Sequence, residues 1–381
     1  MKTFQCGFCG AQVYFDNSDC MHCGAQLAFV PDEMAFMAFE TSAQGRKRLG
    51  RDDPAENSIH AWQPCVHRTS LWHCNWAAHV AEPSGQCASC QLTRVDLSAP
   101  QGEHAVRWQV AEAAKRRVLT TLLTLGVPIS PKQHAGDPVG LEFVWAAPGG
   151  ATPATTGHAN GTITLNLLEA DDDHREVTRV AFGEPARTVV GHLRHELSHR
   201  LQQSYSIDPA TQEAARELFG DERSDYGVAL QTHYAGGPPP NWQQQYISAY
   251  ASAHPWEDWA ETCAHYLLMV DAVETAAAWG LRLDAVPELH SGSALAAMAV
   301  PVEDLVFARW LPVARFLNAM ARSIGVRDNY PFVIAPPVLE KLRFVQHVLQ
   351  QATQLGGGTL PALNALNALS PQEQAWTFET C

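Results

Sequence analysis

The sequence predicts an α+β protein, in which a cysteine-rich N-terminal region precedes a mainly helical domain with a small β-sheet. Eight of the ten cysteines lie before residue 91, whereas long stretches with helical apolar spacing lie after residue 101. The pair Asn160-Gly161, followed by the alternating β-branched residues 161–167, is typical of a hairpin. These observations indicate two regions of different construction.

Length, composition and charge limit the classes of protein. At 381 residues the chain is long enough for one large domain and a smaller one. No run approaches the roughly 18 apolar residues of a membrane span. The first residues lead into a cysteine motif instead of a signal peptide, so we expect a cytoplasmic protein. The net charge of −14 argues against nonspecific binding to nucleic acid or anionic membrane, which needs excess Lys and Arg.

The first four cysteines have the spacing of a zinc site. Each C-x-x-C-G is a tight turn that points two thiolates inward, and two such turns close a tetrahedral site. We therefore expect residues 1–30 to form a zinc ribbon with a structural zinc and with short strands at residues 12–15 and 26–29. A cytoplasmic context disfavours disulfides. The expected ligands are Cys6, Cys9, Cys20 and Cys23.

A second cysteine set lies in residues 31–100. Residues 31 to about 60 lose periodicity, which predicts a linker with room for one short helix. A second structural zinc is expected after it, and buried free thiols are the alternative. The irregular spacing leaves the ligand set open, since His67, His73 or His79 could replace a thiolate. The four cysteines are Cys65, Cys74, Cys87 and Cys90.

The elements that follow are read from apolar spacing. Residues 103–125 are predicted to be a helix whose Lys115-Arg116-Arg117 segment faces solvent, and residues 141–145 a strand. The strand at residues 161–167 is either an ordinary sheet strand or an edge that holds an extended peptide by main-chain hydrogen bonds. Residues 169–173 are expected to form a solvated acidic turn.

The segment His195-Glu196-Leu197-Ser198-His199 lies in a predicted helix that runs from Pro185 to about Ser204. Histidines four residues apart lie one turn above each other, so both rings can face a single metal ion. Glu196 is then placed to take a proton from a metal-activated water.

A catalytic zinc needs a third protein ligand, and the best candidate is Glu257. Pro255 fits a helix start, and Glu261 then lies one turn beyond Glu257 on the same face. This pattern suits a ligand followed by a carboxylate that holds a ligand imidazole through its other N–H. The alternative is a solvated acidic face.

More helices are predicted toward the C-terminus, and the last residues are expected to form a weakly ordered tail. We assign the metal domain to residues 101–355 and the tail to 356–381. The predicted helices cover residues 211–219, 226–234, a segment capped by Asn241 that continues to 251, 255–279, 302–323 and 337–354.

Taken together, these residues resemble the bacterial zinc-binding metallopeptidases that carry an N-terminal zinc ribbon. The pieces occur in the family's order. They are the two C-x-x-C-G turns, Cys74-Asn75-Trp76, residues 156–161, Glu169-Ala170-Asp171, residues 191–196, residues 219–222 and residues 248–258.

The resemblance implies a zincin-like peptidase domain with a glutamate as third zinc ligand. On that basis Glu196 is the general base and Glu261 lies behind a ligand histidine. A tyrosine before the third ligand stabilises the oxyanion in similar zincins, and Tyr250 is the best match, with Tyr246 and Tyr226 behind it. The implied zinc ligands are His195, His199 and Glu257.

The chain departs from the family pattern H-E-x-G-H-Y at two positions. Ser198 stands in place of Gly and Arg200 in place of Tyr. Because glycine allows a close backbone approach, the side chain of Ser198 is expected to narrow the cleft.

The sequence therefore predicts a zinc peptidase with one catalytic zinc and one or two structural zincs, acting on a protein or peptide. One alternative is an adaptor whose zinc ribbon binds a protein partner while the zincin site is dormant. Another is a DNA-associated metalloprotease, which the net charge disfavours.

Overall fold

The structure is a computed structural model. It describes residues 2–42, 45–49, 61–94, 102–134, 137, 140–147, 156–181, 188–205, 208–283 and 297–355. No helix in these ranges combines the length and the apolarity that are needed to cross a bilayer. The predicted tail and the predicted helix start at Pro185 lie outside the described residues.

The N-terminal region is built from short antiparallel ribbons. The strand β1 (Phe4–Gln5) pairs with β2 (Gln12–Val13). A three-stranded sheet follows, formed by β3 (Gln26–Val30), β4 (Ala35–Ser42) and β5 (Gly45–Leu49). A last ribbon pairs β6 (Trp62–Pro64) with β7 (Ala77–His79).

The prediction of a linker after residue 30 was wrong for residues 35–42 and 45–49, which form β4 and β5. Strand β4 is buried on both faces. Phe36 and Ala38 pack in the main core, whereas Met37 and Phe39 pack in a second cluster with Val30. A strand that is buried on both sides shows no apolar alternation, so its pattern does not reveal it as a strand.

The larger region combines a small mixed sheet with helices, which confirms the α+β prediction. Strands β8 (Thr93–Arg94), β9 (Glu142–Ala146), β10 (Gly157–Ala159) and β11 (Thr162–Asn166) lie in the order β10-β11-β9-β8. The hairpin predicted at Asn160-Gly161 joins β10 to β11. Because β8 comes from the cysteine-rich region and pairs with β9, the two regions share a sheet.

The helices supply most of the core, and α3 packs more extensively on α6 than on any other described element. Leu193, Leu197 and Leu201 form the buried stripe of α3. Eight α-helices lie in the described ranges: α1 (Glu103–Thr124), α2 (Asp172–Ala181), α3 (Val189–Tyr205), α4 (Pro209–Phe219), α5 (Tyr226–Gly236), α6 (Pro255–Ala278), α7 (Leu311–Ser323) and α8 (Pro336–Leu355).

Two local predictions in this region were wrong. Residues 169–173 are not a solvated turn, because Glu169 is buried and α2 begins at Asp172. Asn241 does not cap an α-helix: it adopts a φ of 62°, and only short 3-10 turns, Trp242–Gln244 and Tyr250–Ala253, follow. Asn tolerates this left-handed conformation better than most residues with a side chain.

The prediction that Lys115 and Arg116 face solvent was also wrong. Both are buried, since Glu112 on the same helix supplies a buried carboxylate. The Lys115 ammonium is fully buried and lies 3.0 Å from Oε1 of Glu112. It also donates to the carbonyl of Ser89 at 2.9 Å. The hydrogen bond to Ser89 joins α1 to the segment that carries the second cysteine set.

Replacing Lys115 by Met should lower the free energy of unfolding by about 3–5 kcal/mol, because the buried Glu112 carboxylate loses its counter-ion. Arg117→Met is the matched control. Its guanidinium is 42% exposed and pairs with the half-exposed Asp16, so its loss should cost less than about 1 kcal/mol. Urea denaturation of both zinc-loaded variants measures the difference, and equal losses would show that the buried pair is not structural.

Candidate metal centre

Helix α3 presents two imidazoles on one face. The Nε2 atoms of His195 and His199 lie 3.1 Å apart, and the ring planes are nearly perpendicular. When neither Nε2 atom carries a proton, the two atoms cannot form a hydrogen bond to each other. The arrangement therefore favours a cation between the two nitrogens.

The third donor comes from the first turn of α6. The helix begins at Pro255 and is capped by His254, whose Nδ1 accepts a hydrogen bond from the backbone N–H of Trp256 at 3.1 Å. Glu257 is therefore the third residue of the helix, and only 1% of its surface is exposed. Its Oε2 lies 3.0 Å from Nε2 of His195 and 3.5 Å from Nε2 of His199.

The three donors fit a zinc ion. Ligands about 2.0–2.2 Å from a tetrahedral zinc lie about 3.4 Å from one another, close to the separations found here. Oε2 of Glu257 is buried and, among the described residues, receives no hydrogen bond of normal geometry. Three protein donors leave a fourth position open, as in catalytic zinc sites. The sequence-predicted residues His195, His199 and Glu257 are thus brought together.

Glu261 lies behind His195, as expected. The Nδ1–H of His195 donates to Oε1 of Glu261 at 2.7 Å, and Ser248 donates to the other oxygen at 2.6 Å. Burial opposes ionisation of this carboxyl, but the hydrogen bonds from His195 and Ser248 and the charges of His195 and His265 together outweigh burial and lower the pKa of Glu261 to about 2. With Nδ1 protonated, Nε2 of His195 is left as the metal-facing atom. Sequence reasoning assigned no role to Ser248.

The candidate tyrosines have different surroundings. The ring of Tyr250 lies 6.0 Å from the ring of His195 in the cleft, and burial raises its pKa, so the phenol stays protonated. Tyr226 donates its hydroxyl proton to Oε1 of Glu257 at 2.6 Å. Tyr246 lies under the ammonium of Lys341, 4.5 Å from its ring centroid, and does not line the cleft.

The donors lie at the bottom of a cleft of about 1180 Å³. Glu196 lines it beside the two histidines. One wall is the strand β10, which pairs only with β11 in the described part of the sheet and so leaves its outer edge open. The opposite side is formed by α4 and α5, through Gln212, Ala215, Phe219, Tyr226, Leu230 and Tyr234.

His158 of β10 stands next to the metal donors. Its ring stacks on that of His199 with centroids 6.4 Å apart, and its Nε2 accepts from the backbone N–H of Gly161 at 3.0 Å. Burial, together with the nearby charges of His199 and Arg200, lowers the pKa of His158 to about 4. The neutral imidazole stabilises the hairpin turn after β10, and its stacking on His199 places this edge strand beside α3.

The expectation that Ser198 narrows the cleft was wrong. Its side chain is fully buried between α3 and α6, and its hydroxyl donates to the carbonyl of Arg194 one turn back. Its own carbonyl accepts from the indole N–H of Trp259 at 2.8 Å. The residue does not line the cleft and instead packs in the interface between α3 and α6.

The two cysteine sets each gather four sulfurs. Sγ–Sγ distances are 3.7 and 3.8 Å in the first set and 3.5 and 3.7 Å in the second. Thiolates about 2.3 Å from a tetrahedral zinc lie about 3.8 Å apart, so both sets fit a structural zinc. The sets are Cys6, Cys9, Cys20 and Cys23, and Cys65, Cys74, Cys87 and Cys90.

The histidines near the second set are not among its donors. His67 stacks on Trp72 with ring centroids 4.2 Å apart, and His79 packs edge-on against Trp62. Of the donors that the spacing left open, the structure gathers the four sulfurs of the cysteines.

Two family models match the chain. One, described as a zinc-ribbon domain, matches residues 3–99, and the other, described as "putative zinc-binding metallo-peptidase", matches residues 104–348. Uncharacterized proteins of Mycobacterium bovis and Mycobacterium tuberculosis are each 38% identical over 354 residues. Each alignment covers 92% of this chain and 96% of the relative. No solved structure matches significantly. The matches confirm the family resemblance seen in the sequence.

Replacing Cys74 by Ser should remove one equivalent of zinc, because an alcohol is a poor substitute for one of four thiolates. Cys263→Ala is the control, since Cys263 is equally buried but lies outside both sets. Zinc per chain, measured by inductively coupled plasma mass spectrometry, distinguishes them. Wild-type zinc content in the Cys74 variant would show that the second set is merely buried thiols.

Proposed function

The chain belongs to this zinc-binding metallopeptidase family, and we propose that it hydrolyses peptide bonds in protein or peptide substrates. The observation that carries the proposal is the convergence of three donors from two helices at the bottom of an open cleft. In this proposal His195, His199 and Glu257 hold the catalytic zinc, and residues 101–355 form the peptidase domain.

Each residue of the centre has one task in this proposal. When bound, zinc supplies Lewis-acid chemistry, polarising a carbonyl and making a water molecule acidic near neutral pH. Glu196 accepts the proton of the attacking water and then delivers it to the leaving amine. Glu261 keeps the imidazole of His195 in the tautomer and orientation that the site needs.

Tyr250 is the proposed donor to the oxyanion. The hydroxyl of Tyr226 is committed to Glu257, whereas the protonated phenol of Tyr250 lies in the cleft beside His195. A donor that is fixed in a water-poor site stabilises developing negative charge without reorganising during the reaction.

The open edge of β10 is the proposed place for the substrate backbone. An extended peptide alongside this strand would add main-chain hydrogen bonds and pass across the floor formed by α3. The cysteine sets would each hold a structural zinc and support the N-terminal region.

The test of the proposed base is Glu196→Gln. Gln is nearly isosteric but cannot accept the proton, so kcat/KM toward an unfolded protein or a fluorogenic peptide should fall at least about 100-fold. Zinc content should stay at the wild-type value, because Glu196 is not a proposed ligand. Glu340→Gln, on the exposed face of α8, is the control and should cut normally. Full activity of the Glu196 variant would exclude it as the base.

A further inference from the structure

Tyr226 gives the two carboxylate oxygens of Glu257 different surroundings. Its hydroxyl donates to Oε1 at 2.6 Å, while Oε2 faces the two histidines. A carboxylate without such a partner can rotate about its last bond or use both oxygens toward a cation. The hydrogen bond from Tyr226 fixes one oxygen and leaves the other free to ligate.

The phenol is itself held in place by groups anchored to the backbone. Its ring packs edge-on against the ring of His254, with centroids 5.1 Å apart. It also lies tilted against the ring of Trp256, with centroids 5.5 Å apart. His254 caps α6 through Nδ1, and its Nε2 lies 3.0 Å from the hydroxyl of Ser224. Asp225 caps α5 by accepting from the backbone N–H of Val228 at 2.9 Å. Both ends of the contact are therefore tied to helix starts.

Helix α5 lies at the surface of the fold. None of its residues, all of which are described, is buried. Leu230 and Tyr234 follow Tyr226 at intervals of one turn, so all three lie on one helix face, and all three line the cleft. The same helix therefore forms a cleft wall and contacts a proposed metal ligand.

We infer that Tyr226 is a positioning residue that holds Glu257 in its ligating orientation and couples α5, one wall of the cleft, to the metal centre. This inference rests on the proposed metal centre and is independent of which bond the protein cleaves. It also assigns Tyr226 a role other than oxyanion stabilisation. Its proton already serves Glu257.

The expected size of the effect follows from similar contacts in other metal sites. Loss of a hydrogen bond to a ligand typically lowers metal affinity by about 10–100-fold. Tyr226→Phe removes the hydroxyl and keeps the ring against His254 and Trp256, so the helix starts should remain capped. The effect should therefore appear at the metal and not in the fold.

The matched control is Tyr246→Phe. The ring of Tyr246 packs against the ammonium of Lys341, a contact that Phe preserves, and it does not line the cleft. Both variants lose one phenolic hydroxyl, but only one of those hydroxyls contacts a proposed ligand.

The experiment measures zinc retention in the full-length chain. Wild type and both variants are dialysed against graded dipicolinate, which should withdraw zinc from the histidine-carboxylate site before the four-thiolate sites. Glu257→Gln serves to identify which equivalent is lost. Cobalt(II) is then added back to the treated protein, and its visible spectrum reports the ligand arrangement without any peptide assay.

We expect Tyr226→Phe to lose one zinc at a dipicolinate concentration at least about 10-fold lower than wild type, and to give an altered cobalt spectrum. Tyr246→Phe should match wild type in both. Unchanged zinc retention and an unchanged spectrum in Tyr226→Phe would overturn the inference. Weakened zinc retention in a protein that cleaves no peptide would uphold it and would instead refute the proposed hydrolysis.

Discussion

The arrangement of the centre depends on one buried carboxylate. Glu257 is almost completely enclosed, and its inner oxygen faces two imidazole nitrogens instead of hydrogen-bond donors of normal geometry. A buried charge without a partner costs on the order of several kcal/mol, so this placement is stable only with a compensating positive charge. In the proposed centre, a cation shared with His195 and His199 would supply that charge. The positions of the start of α6 and of the inner face of α3 therefore depend on the same compensating positive charge.

Two ion pairs beside the donors hold α3, α6 and α8 in register around the centre. Arg194, next to His195, pairs with Asp271 of α6 at 2.5 Å. Asp258, next to Glu257, points the other way and pairs with Lys341 of α8 at 2.5 Å. Because Arg194, Asp258 and Lys341 are buried, loss of the partner of any of them would leave a buried charge, and this strongly penalises sliding or rotation of the helices. Consecutive residues therefore serve opposite faces: one faces the cleft, and its neighbour fixes the helix.

The sequence revealed the parts of the centre that follow from helical spacing. His195 and His199 lie four residues apart, as do Glu257 and Glu261, so their faces could be predicted from one period. The sequence could not show that Lys115 and Arg116 are buried, because apolar spacing carries no information about a buried partner such as Glu112. Strand β4 was not predicted for a related reason: both of its faces are buried, so its sequence shows no apolar alternation. The task of Tyr226 depends on how α5 meets α6, a contact between segments that no local pattern encodes.

The most direct measurement is anomalous diffraction at the zinc edge from crystals of the full-length protein. A zinc peak within about 2.2 Å of Nε2 of His195, Nε2 of His199 and one oxygen of Glu257 is the predicted result. A carboxylate of Glu257 turned away from the rings, or the absence of any peak between α3 and α6 in crystals whose cysteine sets hold zinc, would contradict it.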